Sequence, residues 1–311
     1  MKTLPLAEAL DKIDRTFSIA AVLKDFERDR LSVYYKQSER GYRRYHSEAG
    51  SIHMAINEDG IFSPDGYYTQ PRFVANQITA IGAQRVLEVG SGKGFNLDYL
   101  ARQFPEVTFT GLDLTPLNIN LARQKTADLA NLTFQTGDFN QIPLPEAQFD
   151  LVFGVECLCY SLDNAQTLGE LHRVLKPGGR LVIFDAWRNA GFEDFPQELQ
   201  TAAKLLEASM AVRGGMNRID HWQTVGTGLG WQTLEVTDVT EAIMPNVARL
   251  HRMAERYFNA NGLVRRLSRL VQPYLVRNAI MALLCPTVLE SGILGYYRVV
   301  AERPPSDTES S

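Results

Sequence analysis

Val86-Leu87-Glu88-Val89-Gly90-Ser91-Gly92-Lys93-Gly94 is a short apolar run that enters a loop with glycine at every second position, and a helix-forming stretch follows from Phe95. Glycines there let the backbone turn sharply and approach a ligand closely, because no Cβ intervenes. The free N–H groups at the start of the following helix then face that ligand. The pattern predicts a nucleotide-binding loop at the end of a strand.

The spacing G-x-G-x-G differs from the G-x-G-x-x-G that seats a dinucleotide pyrophosphate, and Lys93 is misplaced for a phosphate-cradling G-x-x-x-x-G-K-[ST] loop. Glu88 stands two residues before the glycines, where an acid repels a diphosphate but suits an ammonium or sulfonium group. A second strand, 107–112, ends at Asp113-Leu114, roughly 20 residues after the loop, where an acid accepts ribose hydroxyls. A third, 132–136, ends at Gly137-Asp138-Phe139, a carboxylate and a ring suited to an adenine. Strands at 149–153 and 180–184 follow, the latter preceded by a turn at Leu175-Lys176-Pro177-Gly178-Gly179. Taken singly, Asp113 and Asp138 read equally well as helix caps. In order and at successive strand tips, they predict one shared cleft holding Glu88, Asp113 and Asp138.

Over residues 76–187 the chain resembles the class I S-adenosylmethionine-dependent methyltransferases. Glu88 to Gly94 matches the first motif of that family, Asp113 its ribose acid, Gly137-Asp138-Phe139 its adenine motif, and Leu175 to Gly179 its turn before the fifth strand. The resemblance implies S-adenosylmethionine as cofactor, with Glu88, Gly90, Gly92, Gly94, Asp113, Leu114, Asp138, Phe139 and Glu156 around it.

Strands alternate with helices from 84 to 187, which predicts parallel β-α units and a doubly wound α/β sheet. With strands at 232–239 and 295–301 it becomes a Rossmann-like, seven-stranded, mostly parallel sheet. The expected organisation is a helical cap at 1–75, a core at 76–240, a helical lid at 241–292, a closing strand at 293–303 and a disordered tail at 304–311. Helical patterns are read at 19–33, 67–80, 198–212, 220–228 and 247–284.

Methyl transfer requires an acceptor held in line and shielded from water. The fourth strand runs into Val155-Glu156-Cys157-Leu158-Cys159-Tyr160, and the cap carries Tyr34-Tyr35, His46 and His53. Glu156 reads either as a base or cation stabiliser, or as a helix cap or holder of the methionine end of the cofactor. His53 and His46 are the other candidate catalytic groups, with one of them expected to face the pocket, and Tyr34, Tyr35 and Tyr160 are candidate substrate contacts. The layout resembles the sterol and tocopherol methyltransferase subgroup, on Tyr34-Tyr35, His53, Val155-Glu156 and the closing segment 295–304. Tyr160 departs from the histidine often found in the sterol enzymes. That resemblance implies a small lipophilic acceptor, polycyclic or prenylated, with carbon methylation favoured; small amine, phosphobase and phenol methylation share the scaffold. A nicotinamide-dependent oxidoreductase is disfavoured by the loop spacing and Glu88, and a non-catalytic nucleoside-binding module is the remaining rival.

A net charge of −4 over 311 residues argues against nucleic-acid binding. Residues 1–14 lack the apolar core of a signal peptide, and three cysteines predict free thiols rather than a disulfide framework, so a cytoplasmic protein is expected. Residues 249–277 hold seven arginines opposed by Glu255 alone, with Leu263, Leu267, Leu270 and Tyr274 at helical spacing. That pattern fits either a solvated cap helix or a peripheral membrane contact.

Overall fold

The computed structural model describes residues 3–41, 46–47, 49–262 and 273–305. β1 (Arg85–Val89), β2 (Thr108–Asp113), β3 (Leu132–Thr136), β4 (Phe149–Val155) and β5 (Leu175–Arg188) run parallel, while β7 (Leu294–Glu302) lies antiparallel between β5 and β6 (Gln232–Asp238). The sheet order is β3-β2-β1-β4-β5-β7-β6. Strand order reverses between β1 and β4, so a crevice opens at their carboxyl ends, beside the glycine loop.

Alternation along each strand builds two apolar layers. Val86, Leu151 and Phe153 face α4 (Thr69–Ile81) and α5 (Phe95–Gln103), while Leu87 and Val152 face α7 (Asn164–Val174) and α9 (Ile219–Gly228). Glu88 shares its strand face with Val86, and that register turns its carboxylate under α5.

The cap holds α1 (Leu6–Phe17), α2 (Ile19–Lys24) and α3 (Leu31–Gly41). The single helix expected at 19–33 is interrupted, because the charged run Asp25 to Arg30 cannot prolong an apolar face. Asp29 Oδ1 instead accepts the Leu31 N–H and starts α3. β5 begins five residues earlier than expected; Leu175 pairs with Phe149, and a register shift before Leu151 absorbs the Pro-Gly-Gly turn.

Between β6 and β7 lie α10 (Thr240–Phe258) and α11 (Pro273–Glu290), which pack on each other, with α11 also against α8 (Gln197–Ser209). They start and end beyond the 247–284 expected, since Pro245 and Pro286 sit inside the helices rather than ending them. Pro286 has no N–H for the carbonyl of Ala282 four residues back. His251 of α10 supplies the missing donor: its Nδ1 lies 3.3 Å from Ala282 O and 3.1 Å from Leu283 O. Of the arginines at 249–277, Arg249 stacks over Phe62 and Arg277 pairs with Asp25, whereas Arg252 and Arg256 are exposed. Arg265, Arg266, Arg269, Leu263, Leu267 and Leu270 lie outside the described residues, as does the tail from 306. No helix among the described residues is long and apolar enough to cross a membrane.

His251→Leu should lower stability by about 1–3 kcal/mol by stranding those carbonyls. Adding Pro286→Ala, which returns the helical N–H, should recover most of that loss in denaturant melts; equal losses with and without it would refute the cross-helix role.

Candidate active site

Gly90, Gly92 and Gly94 all have left-handed backbones, with φ of 64°, 53° and 73°. A Cβ on Gly90 would stand 2.3 Å from Cys157 Cβ and one on Gly94 2.6 Å from Phe134, so internal packing already demands these two glycines. A Cβ on Gly92 would meet Ile52 Cδ1 at 3.2 Å, across the cleft. Asp113 ties the loop to the tip of β2. Its Oδ2 accepts Gly92 N–H at 2.9 Å, and its Oδ1 accepts Thr115 N–H at 2.8 Å and Asn118 Nδ2 at 3.2 Å. Burial nevertheless raises its pKa, because three donors do not fully replace water. Asp138 Oδ1 accepts the backbone N–H and Nδ2 of Asn140, both at 2.8 Å.

Gly90, Asp113, Leu114, Asp138, Phe139 and Glu156 line one cleft of about 190 Å³ along these strand tips, with Leu114 on its exposed rim. Glu88 does not line it. The acid is 2% exposed beneath the loop; its Oε1 accepts Asn96 Nδ2 at 2.8 Å, and its Oε2 has no partner among the described residues. Burial pushes its pKa well up, the Asn96 hydrogen bond pulls the other way, and Asp113 adds to the rise. Its place two residues before the glycines identified the acid, but the side chain lies beneath the loop and does not line the cleft. Glu88 Oε2 and Ser91 Oγ are both buried at the glycine loop without a partner among the described residues, so the acid sets its charge beneath the loop rather than on the cleft wall.

Beside the cleft lies an apolar cavity of about 90 Å³, whose lining includes Tyr34, Met54, Met210, Met216, Met281 and Asp185. Tyr35, Ile52, Glu156 and Tyr160 line both hollows. Tyr35 Oη donates to Tyr160 Oη at 3.3 Å, Tyr160 Oη to Met210 O at 3.2 Å, and Tyr34 Oη to Asn278 Oδ1 at 3.0 Å.

Glu156 has a left-handed backbone, with φ of 51°, an unfavourable conformation for a residue with a side chain. Its N–H donates to Phe184 O at 2.7 Å, and its Oε1 accepts Met54 N–H at 2.6 Å and Tyr296 Oη at 3.0 Å. Desolvation pushes its pKa up to about 8, with the nearby Asp185 adding to the shift and the Met54 and Tyr296 bonds opposing it. Asp185 escaped the sequence reading, although an acid inside Leu181-Val182-Ile183-Phe184-Asp185-Ala186-Trp187 was a visible signal. It is 1% exposed, accepts Ala186 N–H and Cys159 N–H, and burial pushes it up to about 6.

The two histidines line neither hollow, contrary to the expectation that one would face the pocket. His53 Nδ1 lies 3.1 Å from Met54 O and its Nε2 3.2 Å from Asn96 Oδ1, and His46 Nε2 lies 2.8 Å from His53 O. Burial lowers both to about 4, so they stand neutral at pH 7 behind the wall formed by Ile52 and Met54. Their position bracing that wall explains why they accompany the tyrosines in sequence. All three cysteines are unpaired; Cys157 Sγ donates to Val89 O at 3.2 Å beneath the loop.

Residues 87–183 match the family model described as a methyltransferase domain. This segment is a class I S-adenosylmethionine-dependent methyltransferase domain. A fatty-acid O-methyltransferase of Mycolicibacterium smegmatis is 35% identical over 150 residues, 47% of this chain and 54% of that protein. A demethylmenaquinone methyltransferase of Deinococcus radiodurans is 37% identical over 115 residues, 37% of this chain and 48% of that protein. The chain thus spans about half the length of the curated relatives it matches. The solved structure of a cyclopropane synthase from Mycobacterium tuberculosis superimposes with a TM-score of 0.70 at 15% identity, covering 90% of this chain and 98% of that one. At that identity the likeness speaks for the fold alone, and the fold is the expected seven-stranded one.

Asp113→Ala should weaken S-adenosylhomocysteine binding by about 1.5–3 kcal/mol in calorimetry, since both the loop tether and a charged acceptor are lost. Unchanged affinity would contradict the placement of the cofactor.

The pH dependence of stability carries opposed signatures, and Asp185, raised from 3.8 to about 6, loses its contribution over the window in which the histidines gain theirs. His46 and His53 fall from 6.5 to about 4 on folding, so their contribution is lost as pH drops through that window. Glu156 rises from 4.5 to about 8, so its contribution is complete below 4.5 and lost as pH climbs to 8. Thermal melts of the ligand-free protein should show Glu156→Gln flattening the alkaline decline while leaving the acid one in place. An unaltered alkaline arm would contradict the raised pKa.

Proposed function

We propose that this chain transfers the methyl group of S-adenosylmethionine to a small lipophilic acceptor, polycyclic or prenylated, with carbon the favoured receiving atom. The observation that carries this reading is the shared wall of Tyr35, Ile52, Glu156 and Tyr160 between the strand-tip cleft and the methionine-lined cavity. A wall common to both hollows is where donor and acceptor meet in line.

The bound cofactor supplies a methyl group already activated on a sulfonium. In this reading Gly90 and Gly92 hold its amino-acid end, with the Glu88 carboxylate beneath them. Asp113 takes the ribose, and Asp138 with Phe139 takes the adenine. Ile52 and the tyrosines exclude water from the transfer zone. Glu156, against the apolar side, stabilises positive charge or accepts a proton from the acceptor. Residues 1–75 serve as the cap, 76–240 with 293–303 as the cofactor core, and 241–292 as the lid over the cavity.

A second reading, an amine nitrogen as receiving atom, is favoured by Glu156 and Asp185 lining a cavity with no Lys, Arg or His lining it among the described residues. Peripheral contact with an anionic membrane through residues 249–277 is supported by the exposed Arg252 and Arg256. It is weakened by the engagement of Arg249 and Arg277 within the protein.

Incubating a cell extract with deuteromethyl-labelled donor and the protein should yield one labelled lipophilic product, read by mass spectrometry. Glu156→Gln should then reduce turnover by about 100-fold with S-adenosylhomocysteine affinity retained. Full turnover in that variant would remove Glu156 from the chemistry.

A further inference from the structure

Three hollows lie in a row along the carboxyl edge of the sheet. The cofactor cleft occupies the tips of β1 to β4, the apolar cavity follows, and a third, open groove of about 900 Å³ lies at the far end, beside Asn189, Asp238 and Gly292. Leu289 of α11 and Leu294 of β7 line both the cavity and this groove, just as Tyr35, Ile52, Glu156 and Tyr160 line both the cavity and the cleft. The two leucines flank the short turn at Gly292, which has a φ of 75° and nothing packed where a Cβ would stand. The cavity is therefore bounded on one side by the transfer zone and on the other by two apolar side chains beside a turn.

Charge is distributed unevenly along this row. The chain has 32 Lys and Arg against 36 Asp and Glu, close to balance. Yet the groove is lined by Glu58, Asp238, Glu241 and Glu290, all exposed, and the cavity by Asp185 and Glu156, with no basic residue lining either among the described residues. Asn57, 7% exposed, lines the groove as well; its Nδ2 donates to Ser63 O, and its Oδ1 is buried without a partner among the described residues. Walls of one sign raise the local concentration of oppositely charged molecules and speed their capture. The groove does so for cations, and the methionine-lined cavity behind the leucines then accepts apolar surface, since methionine adapts to irregular shapes.

We propose that this groove is the entrance for the methyl acceptor, gated by Leu289 and Leu294, and that it favours apolar molecules carrying a positive charge over carboxylates. The inference rests on the reading of the cavity as the acceptor site and adds a route and a charge preference to it. It sets the chain apart from its 35%-identical relative described as a fatty-acid O-methyltransferase, since an acid-lined path repels a fatty-acid carboxylate.

The titratable groups that interact with Glu156 are Asp185 from β5, Tyr296 from β7, Cys285 from α11, Cys159 from its own turn and Tyr67 from the cap, and Tyr34, Tyr35 and Tyr160 line the same cavity. None of them brings a positive charge. A cationic ligand arriving there displaces the Glu156 proton, so its affinity should rise as pH climbs through about 8.

The test uses the whole chain saturated with S-adenosylhomocysteine and three probes of equal chain length: decylamine, decanol and decanoate. Affinities come from calorimetry and association rates from stopped flow. The expected order is decylamine, then decanol, then decanoate, with added salt slowing decylamine and sparing decanol. Leu289→Trp should slow decylamine association by about tenfold, and Leu294→Ala should hasten it, with S-adenosylhomocysteine affinity unchanged in both as evidence of an intact fold. Association rates untouched by either variant would overturn the entrance, and decanoate binding as tightly as decylamine would overturn the charge preference. If S-adenosylhomocysteine binds but none of the three chains does, the acceptor cavity itself is misread and the entrance falls with it. If S-adenosylhomocysteine does not bind, the failure lies in the cofactor reading instead.

Discussion

One carboxylate oxygen joins three segments that are remote in sequence. Glu156 Oε1 accepts a backbone N–H from Met54, 102 residues before it, and a phenol O–H from Tyr296, 140 residues after it. These bonds close the cap and the last strand onto the end of β4 and define the wall between the strand-tip cleft and the methionine-lined cavity. A non-glycine residue holds a left-handed backbone only where its surroundings over-determine it, and the three hydrogen bonds of Glu156 do so. The strain therefore lies where β4 must turn its carboxylate between two hollows rather than continue its pleat.

The acids of the site form a graded set. Asp113 is held by three donors and anchors the glycine loop, Asp185 is held by backbone N–H groups of the turn that follows Glu156, and Glu88 retains a bare oxygen. Each is pushed upward by loss of water, and no lysine or arginine is hydrogen-bonded to any of them among the described residues. Retaining buried acids without basic partners costs stability, and a cationic ligand is the partner that offsets it. In the proposed reading, a sulfonium nucleoside with an ammonium group would meet that need on the cleft side and a positively charged acceptor on the cavity side.

Much of this was legible in the chain because strand tips are local features. Asp113 ends β2 and Asp138 follows two residues after β3, and a doubly wound sheet gathers such strand ends along one edge. The side on which an acid presents itself was less legible. Glu88 stands in the same motif as the glycines, yet one residue of strand alternation puts it under α5 instead of in the crevice. His46 and His53 carried the composition of a catalytic pair but brace the wall from behind, a tertiary outcome that residue type cannot specify. Asp185 shows the reverse case, an acid whose value depends on a neighbour 29 residues away.

The helices between β6 and β7 complete the logic of the acceptor side. Met281, Cys285 and Leu289 recur every four residues along α11 and turn one stripe of that helix into the cavity wall. Met210, just past the end of α8, and Met216, in the loop that follows, line the same cavity. A cavity of about 90 Å³ is smaller than a polycyclic or prenylated molecule, so occupancy requires its walls to yield. Unbranched methionine side chains yield at low cost, whereas the sheet floor of Asp185 and Tyr296 is held in register by β5 and β7. In the proposed reading, expansion would therefore be directed toward α8 and α11, keeping Glu156 and the tyrosines fixed while the far end of the cavity adapts to the body of the acceptor.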